Sequence, residues 1–404
     1  MVGPAQIGTD RSEVTNASVV RWLPQALSAI RFLVDPRSCT FLTLQLMPKR
    51  ILITGVCGFV GSTLAQTIPE HLSGCEIIGI DNLSRSGSAS NVSELSARGV
   101  RFIHADVRVP GDLQSLPTCD WVIDAAAHPS VLAGVSAQCS PRQVVDNNLI
   151  GTTHLLEQCR HWRAGFTLLS SSRVYSIPPL ASLPVLETNN AFGLESGFEL
   201  TGLTERGIGE EFSTTAPVSL YGATKLASEA IALEYGYAFD IPVFVNRCGI
   251  LAGGTQFGRA DQGIFSFWLR SWRARAPLRF NGFGGRGLQV RDCLHPKDLA
   301  RLVVNQINAP TNNDRPPIIN VSGGLTSARS LAQVSQWCSN RWGDHQVESD
   351  DNTRPFDLPW VVLDSTAAKR HWDWSPTMTT EEIFDEIAAH AEQHPDWLDQ
   401  SNLY

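Results

Sequence analysis

One loop constrains the fold of this chain more than any other feature. Gly55-Val-Cys-Gly58-Phe-Val-Gly61 follows a short β-rich run, Arg50–Thr54, and precedes a helical segment, Ser62–Ile68. The next apolar run, Cys75–Ile80, ends at an acid, Asp81, 20 residues beyond Gly61. Residues without a Cβ let the backbone turn tightly and approach a pyrophosphate, which then rests on the helix N-terminus. Three glycines alone decide little in a chain that has 32 of them. The strand before, the helix after and the acid at the next strand end carry the argument. Asp81 can accept both hydroxyls of an adenosine ribose and would repel a 2′-phosphate, and the residue after it is Asn82 rather than Arg. The loop therefore predicts NAD rather than NADP.

Further βα units follow. Val100–His104 reads as a strand with Asp106-Val107 after it, and Trp121–Asp124 as another, followed by Ala125-Ala126-Ala127. Val144–Arg163 reads as helix, and Phe166–Leu169, Val243–Asn246 and Ile318–Val321 as strands. This alternation predicts an α/β fold, a Rossmann-type doubly wound parallel sheet of about seven strands with ligands at the carboxyl ends. Residues 47–247 are expected to form the NAD-binding domain, with a strand near 316–322 returning to it. Residues 248–404 are expected to form mainly a smaller α/β substrate domain. Residues 176–218, rich in Pro, Gly, Ser and Thr, either line or cover a substrate site or make a surface excursion. Residues 1–46 differ in character and are expected to be a dispensable, poorly ordered extension ahead of Met47. Their acids, Asp10, Glu13 and Asp35, weigh against a transit peptide.

Composition removes several alternatives. With 43% hydrophobic and 18% charged residues the chain can bury a large core. A net charge of −8 without any Lys/Arg cluster argues against nucleic-acid and membrane partners. Nine scattered cysteines, with no C-x-x-C pair, suit free thiols in a reducing cytoplasm.

The chemistry is expected around Tyr221-Gly-Ala-Thr-Lys225, at the start of a helix whose apolar side would be Leu226, Ala227, Ala230 and Leu233. Residues i and i+4 share a helix face. An ammonium beside a phenol favours the phenolate, so Lys225 should lower the Tyr221 pKa. Tyr221 could then take a proton from a carbinol as hydride leaves to nicotinamide. Ser170-Ser171-Ser172 closes a strand, where a hydroxyl can share that proton. A hydrolase elbow, Gly-x-Ser-x-Gly, is absent.

With these residues in view, roughly 49–390 resembles the extended short-chain dehydrogenase/reductase family, the nucleotide-sugar epimerases and dehydratases. The resemblance rests on the glycine loop, Asp81-Asn82, Asp106-Val107, Asp146-Asn-Asn-Leu-Ile-Gly-Thr152, Ser171 to Tyr175, Tyr221 to Lys225 and Gln289-Val-Arg-Asp292. It implies that Gly55, Gly58 and Gly61, with Phe59 and Val60, cradle the NAD pyrophosphate. Asp81 and Asn82 would hold the ribose, and Asp106 and Val107 flank the adenine. Ala125, Ala126, Ala127 and Asn148 would complete the cofactor site, and Lys225 would bond the nicotinamide ribose. Tyr221 would be the acid/base and Ser171 its assistant. Arg291 and Arg354 would pair with a nucleotide diphosphate, and His128, Ser172 and Arg173 would approach the sugar.

Dehydratases of the family carry a carboxylate before the Val-Tyr pair; here Ser171-Ser172-Arg173 stands there. That favours an NAD-dependent epimerase. The basic residue before Val-Tyr, Asp261-Gln262-Gly263, and Arg247 followed by small residues resemble the CDP-tyvelose (CDP-paratose) 2-epimerases. A UDP-sugar 4-epimerase, a sugar dehydrogenase or reductase, and a non-catalytic NAD-binding sensor remain alternatives. Relatives often dimerise, which implies a homodimer.

Overall fold

The computed structural model describes residues 49–135, 139–309 and 315–402, so the expected N-terminal extension lies outside the described residues. Seven parallel strands make the main sheet: β1 (Arg50–Thr54), β2 (Glu76–Asp81), β3 (Arg101–His104), β4 (Trp121–Asp124), β5 (Gly165–Ser171), β6 (Val243–Cys248) and β7 (Ile318–Val321). Their order is β3-β2-β1-β4-β5-β6-β7, the expected doubly wound sheet. Ile51, Leu52, Ile53 and Thr54 of β1 are all fully buried, as a central strand covered on both faces requires. Successive side chains point to opposite faces. Accordingly Ile51 and Ile53 enter one core and Leu52 the other.

Helix α1 (Phe59–His71) covers the first face. On the second lie α2 (Gly151–Trp162) and α3 (Ser219–Phe239). Thr54 of β1 aligns with Ile80 of β2, so the glycine loop and Asp81 open at the same sheet edge. Strand order reverses between β1 and β4, and the crevice there is where such sheets bind ligands.

Beyond β6, α4 (Ile264–Arg273), α6 (Leu331–Trp342) and α7 (Thr380–Gln393) surround Phe265, Trp268, Trp272, Ile383 and Phe384. A further helix, α5 (Pro296–Asn308), instead packs with α1, and Trp372 and Trp374 join that core. Part of the chain after residue 248 therefore packs on the main sheet. The reason is geometric: β7 lies on the sheet, and its apolar helix α5 covers the adjoining face.

The expected helix 144–163 forms, with a π turn at Asp146–Ile150 just before α2. Residues 176–218 form a short helix and two hairpins, Val185–Leu194 and Leu203–Ile208, packed against Val290 and Trp360–Leu363. They line neither of the clefts described below.

Candidate active site

Two adjoining clefts open at the carboxyl ends of the strands. The smaller, about 240 Å³, is lined by Gly55, Gly58–Gly61, Asp81, Asn82, Val107 and Ala125–Ala127. Gly55 has φ +61°, and a Cβ there would press on the Ala126 backbone. A Cβ on Gly61 would overlap the Gly55 carbonyl oxygen. The loop therefore folds tightly only with glycine at both places. Asp81 accepts one backbone N–H on each oxygen, from Cys57 at 3.0 Å and Leu83 at 2.8 Å. Burial raises its pKa against these bonds. Thr54 Oγ1 donates to buried Asp124 at 2.9 Å and accepts from the backbone N–H groups of Ala125 and Ala126, which holds the small-residue turn on the sheet.

Four expected residues line neither cleft. Asp106 accepts from Asn82 Nδ2 at 3.0 Å and pairs with Arg108, which holds its carboxyl well below the usual range. Asn148 is fully buried and binds the His128 backbone and Thr224. The neighbouring Asn147 lines the smaller cleft instead, because the π turn shifts which side chain faces outward. His128 keeps a buried Nδ1 without a partner among the described residues, and burial lowers its pKa. Lys225 is 2% exposed and makes no hydrogen bond among the described residues.

The larger cleft, about 470 Å³, is lined by Ser170–Arg173, Tyr221, Cys248, Arg291 and Arg354, among others. Ser171 ends β5 and Tyr221 sits in the first turn of α3. Burial raises the Tyr221 pKa, while the Ser171 hydroxyl and Arg173 pull it down. Lys225 is not among the groups that shift Tyr221, contrary to expectation. Burial lowers the Lys225 pKa in its turn, against Asp124, Cys248 and Glu229. Desolvation of both groups outweighs their helical spacing.

The buried face of α3 is also not the expected one. Tyr221, Thr224, Lys225, Ser228 and Glu229 face inward, whereas Ala230 is exposed and Leu226 and Leu233 are half-buried. A polar network makes this tolerable. Glu229 pairs with Arg247 at 2.7 Å and accepts from Ser170, and Arg247 reaches the Tyr175 hydroxyl. Arg247, noted in the sequence for the small residues that follow it, is thereby tied to the scaffold.

Among the described residues, five arginines line the larger cleft, Arg173, Arg279, Arg291, Arg329 and Arg354. Arg291 donates to Asp357 at 3.0 Å, and Arg354 to the Ala260 carbonyl at 2.9 Å. Arg173 donates to the Phe356 carbonyl at 3.3 Å and is pushed down to about 10 by burial and by Arg291. Ser172 lines the same wall. Asp292 instead accepts from Ser322 and the Leu363 backbone.

The residues fit a bound NAD. The glycine cradle excludes side chains where a pyrophosphate would approach, and Asp81 lines the same cleft. Composition could not single out Arg85, Asn147, Pro129, Gln256 or Phe257, which also line the clefts. Their only sequence signal is proximity to the Asp81 strand end, the Asn148 motif, His128 and the Asp261-Gln262-Gly263 segment.

A dinucleotide cleft beside the β1/β4 switch point, with a phenol and a hydroxyl facing a second cleft, defines an extended short-chain dehydrogenase/reductase. Residues 51–322 match the NAD dependent epimerase/dehydratase family, and the chain belongs to it. It is 28% identical to a CDP-paratose 2-epimerase of Salmonella typhi over 82% of this chain and 96% of that protein. A UDP-glucuronate 4-epimerase of Thermodesulfobacterium geofontis is 25% identical over 82% of this chain and 92% of its own. The structure also resembles the UDP-glucuronic acid 4-epimerase of Bacillus cereus solved with UDP-glucuronic acid and NAD. There the TM-score is 0.68 and the identity 25%, with 85% of this chain and 99% of that one covered. The family is NAD-dependent, and no helix of the described residues is long and apolar enough to cross a membrane.

Proposed function

We propose that this chain is an isomerase, an NAD-dependent epimerase of a nucleotide-diphosphate sugar, most similar in action to a CDP-sugar 2-epimerase. One observation carries the choice of epimerisation over dehydration. Among the described residues lining the larger cleft, the carboxylates are Asp261 and Asp357. Asp261 accepts from Ser130 at 2.6 Å and Asp357 pairs with Arg291, so neither is placed beside Tyr221 as a free acid or base for water elimination. Tyr221 and Ser171 suffice for reversible oxidation of a carbinol.

In this reading Tyr221 accepts the proton of a ring hydroxyl and later returns it, and Ser171 holds that hydroxyl in line. Lys225 offers its ammonium to the nicotinamide ribose. Gly55, Gly58, Phe59, Val60, Gly61, Asp81, Asn82, Val107 and Ala125–Ala127 hold the rest of the dinucleotide, with Asp106 and Asn148 supporting them from behind. Arg291 and Arg354 hold the diphosphate, which a planar guanidinium can bind with two hydrogen bonds. Arg173 and Ser172 face the sugar, next to the turn that carries His128. Bound NAD supplies a reversible acceptor for hydride. A UDP-sugar 4-epimerase is the second reading, supported by the UDP-glucuronate relatives. A cytoplasmic homodimer is expected on analogy with relatives, and the exposed rings of Tyr237 and Phe239 at the end of α3 are consistent with a contact there.

Proton NMR of the protein with CDP-, UDP-, GDP- and dTDP-hexoses in heavy water tests the proposal. Conversion of one sugar to its epimer is expected, with no deuterium at the inverted carbon and no reaction in Tyr221→Phe. Deuterium at that carbon would overturn hydride return in favour of enolisation. Release of NADH in step with product would make the chain a dehydrogenase.

A further inference from the structure

One segment touches both clefts. Gln256, Phe257 and Gln262 line the smaller cleft, and Gln256, Ala260, Asp261, Gln262 and Gly263 line the larger. Within it Arg259 and Gln262 close a tight turn through paired backbone hydrogen bonds of 2.6 and 3.1 Å. Side chains from distant parts of the chain pin this turn down. Arg85, four residues beyond Asp81, donates to Gln262 Oε1 at 2.5 Å and to the Phe257 carbonyl at 2.7 Å. Ser130 donates to Asp261 at 2.6 Å, and Arg354 to the Ala260 carbonyl at 2.9 Å. From outside, the Trp397 indole stacks on the Phe257 ring at 4.5 Å between centroids, with the planes 10° apart. On its other side Phe257 approaches Gly87 so closely that a Cβ there would overlap the ring.

We propose that Gln256–Gly263 is a strap roofing the dinucleotide and sugar clefts together, and that Arg85 is the positioning residue that latches it through Gln262, so that the dinucleotide stays bound between the two halves of the reaction. Arg85 suits the role because two nitrogens of its planar fork each serve one acceptor on the strap in a fixed geometry, which the single nitrogen of a lysine does not reproduce. Arg85 and Gln262 both line the smaller cleft from segments 177 positions apart in the chain, so breaking their bond frees the strap from the segment that follows Asp81. Retention matters to an enzyme that must return the hydride it has taken. The latch itself rests on the dinucleotide cleft and does not depend on which sugar is used.

The test is the rate at which bound NAD leaves the full-length holoenzyme, followed by its transfer to an excess of an NAD-consuming indicator enzyme without any sugar present. Arg85→Met and Gln262→Leu are each expected to release NAD at least tenfold faster than the unmodified protein. Arg85→Lys should fall between, since one of the two acceptors is kept. The double variant should be no faster than the faster single one, because either change breaks the same latch. Thermal unfolding of the NAD-free forms shows whether each variant is folded. Unchanged release in Gln262→Leu, or additive effects in the double variant, would overturn the proposal and leave Arg85 as a direct contact of the dinucleotide alone. Because no sugar is used, a failure here is distinct from a failure of the epimerase assignment.

Discussion

Tyr221 loses its water on folding, and that loss raises its pKa above the value of free tyrosine, against the pull of the Ser171 hydroxyl and of Arg173. The chain has five tyrosines, so an ultraviolet difference titration between the unmodified NAD-free protein and Tyr221→Phe isolates this group. Ionisation is expected above the ordinary tyrosine range, and Ser171→Ala should move it higher still. A pKa below that of free tyrosine in the NAD-free protein would show that Lys225 controls it after all. In turnover, Tyr221→Phe is expected to cost roughly 10²–10⁴-fold, the usual worth of a positioned acid/base. Residue identities such as Tyr221, Ser171, Asp81 and the glycines were legible from spacing. The roles of Asp106 and Asn148 were not, because both sit in recognisable motifs while their side chains turn to Arg108 and to the His128 backbone.

At the scale of elements, the glycine loop and α3 depend on fit more than on propensity. Gly61→Ala drives a methyl group into the Gly55 carbonyl, so it should destabilise the protein by about 1–3 kcal/mol and weaken NAD binding in parallel. Equal NAD affinity in that variant would mean the loop can rearrange. The α3 helix holds its polar face inward through Glu229 and Arg247, whose side chains are 2% and 6% exposed. Removing one charge of such a buried pair leaves the other uncompensated. Glu229→Gln is therefore expected to cost about 3–5 kcal/mol in urea unfolding. A loss below about 1 kcal/mol would show that water reaches Arg247. The orientation of α3 was misread in the sequence because apolarity alone decides which face of an ordinary helix is buried. Here the inward face carries the site residues and is stabilised by partners on β5 and β6 that lie far away in sequence.

Across the whole molecule, acid should loosen the contact between α4 and α7. His390 on α7 accepts from Arg270 on α4 at 2.9 Å and lies beside His394, Glu386 and the Trp397 ring. Burial and Arg270 push it down to about 4. A depressed histidine stays neutral in the folded protein while the unfolded chain takes up a proton near its ordinary pKa. Stability is therefore lost as pH falls from about 6.5 towards 4. Glu386 resists burial through the His295 hydrogen bond and sits at about 2, so a second loss follows below its ordinary range near 4.5. The melting temperature should fall over both windows, and His390→Phe should flatten the upper one. An unchanged slope in that variant would place the acid sensitivity elsewhere. Deletion of residues 1–46 is expected to leave NAD binding unchanged, since the glycine loop and the described residues that line the clefts lie after Lys49.

The sequence by itself determined the order of strands and helices along the chain, the dinucleotide loop and the spacing of Tyr221 and Lys225. These are encoded by local periodicity and by spacings within one or two turns, which neighbouring residues carry on their own. Only the tertiary structure decided that α5, Trp372 and Trp374 support the NAD-binding sheet and that residues 176–218 stay away from the clefts. It alone also brought Arg85 to Gln262, 177 positions apart in the chain. Such contacts follow from how β7 and the final helices close over the sheet, and burial there sets pKa values and pairings that no local pattern contains.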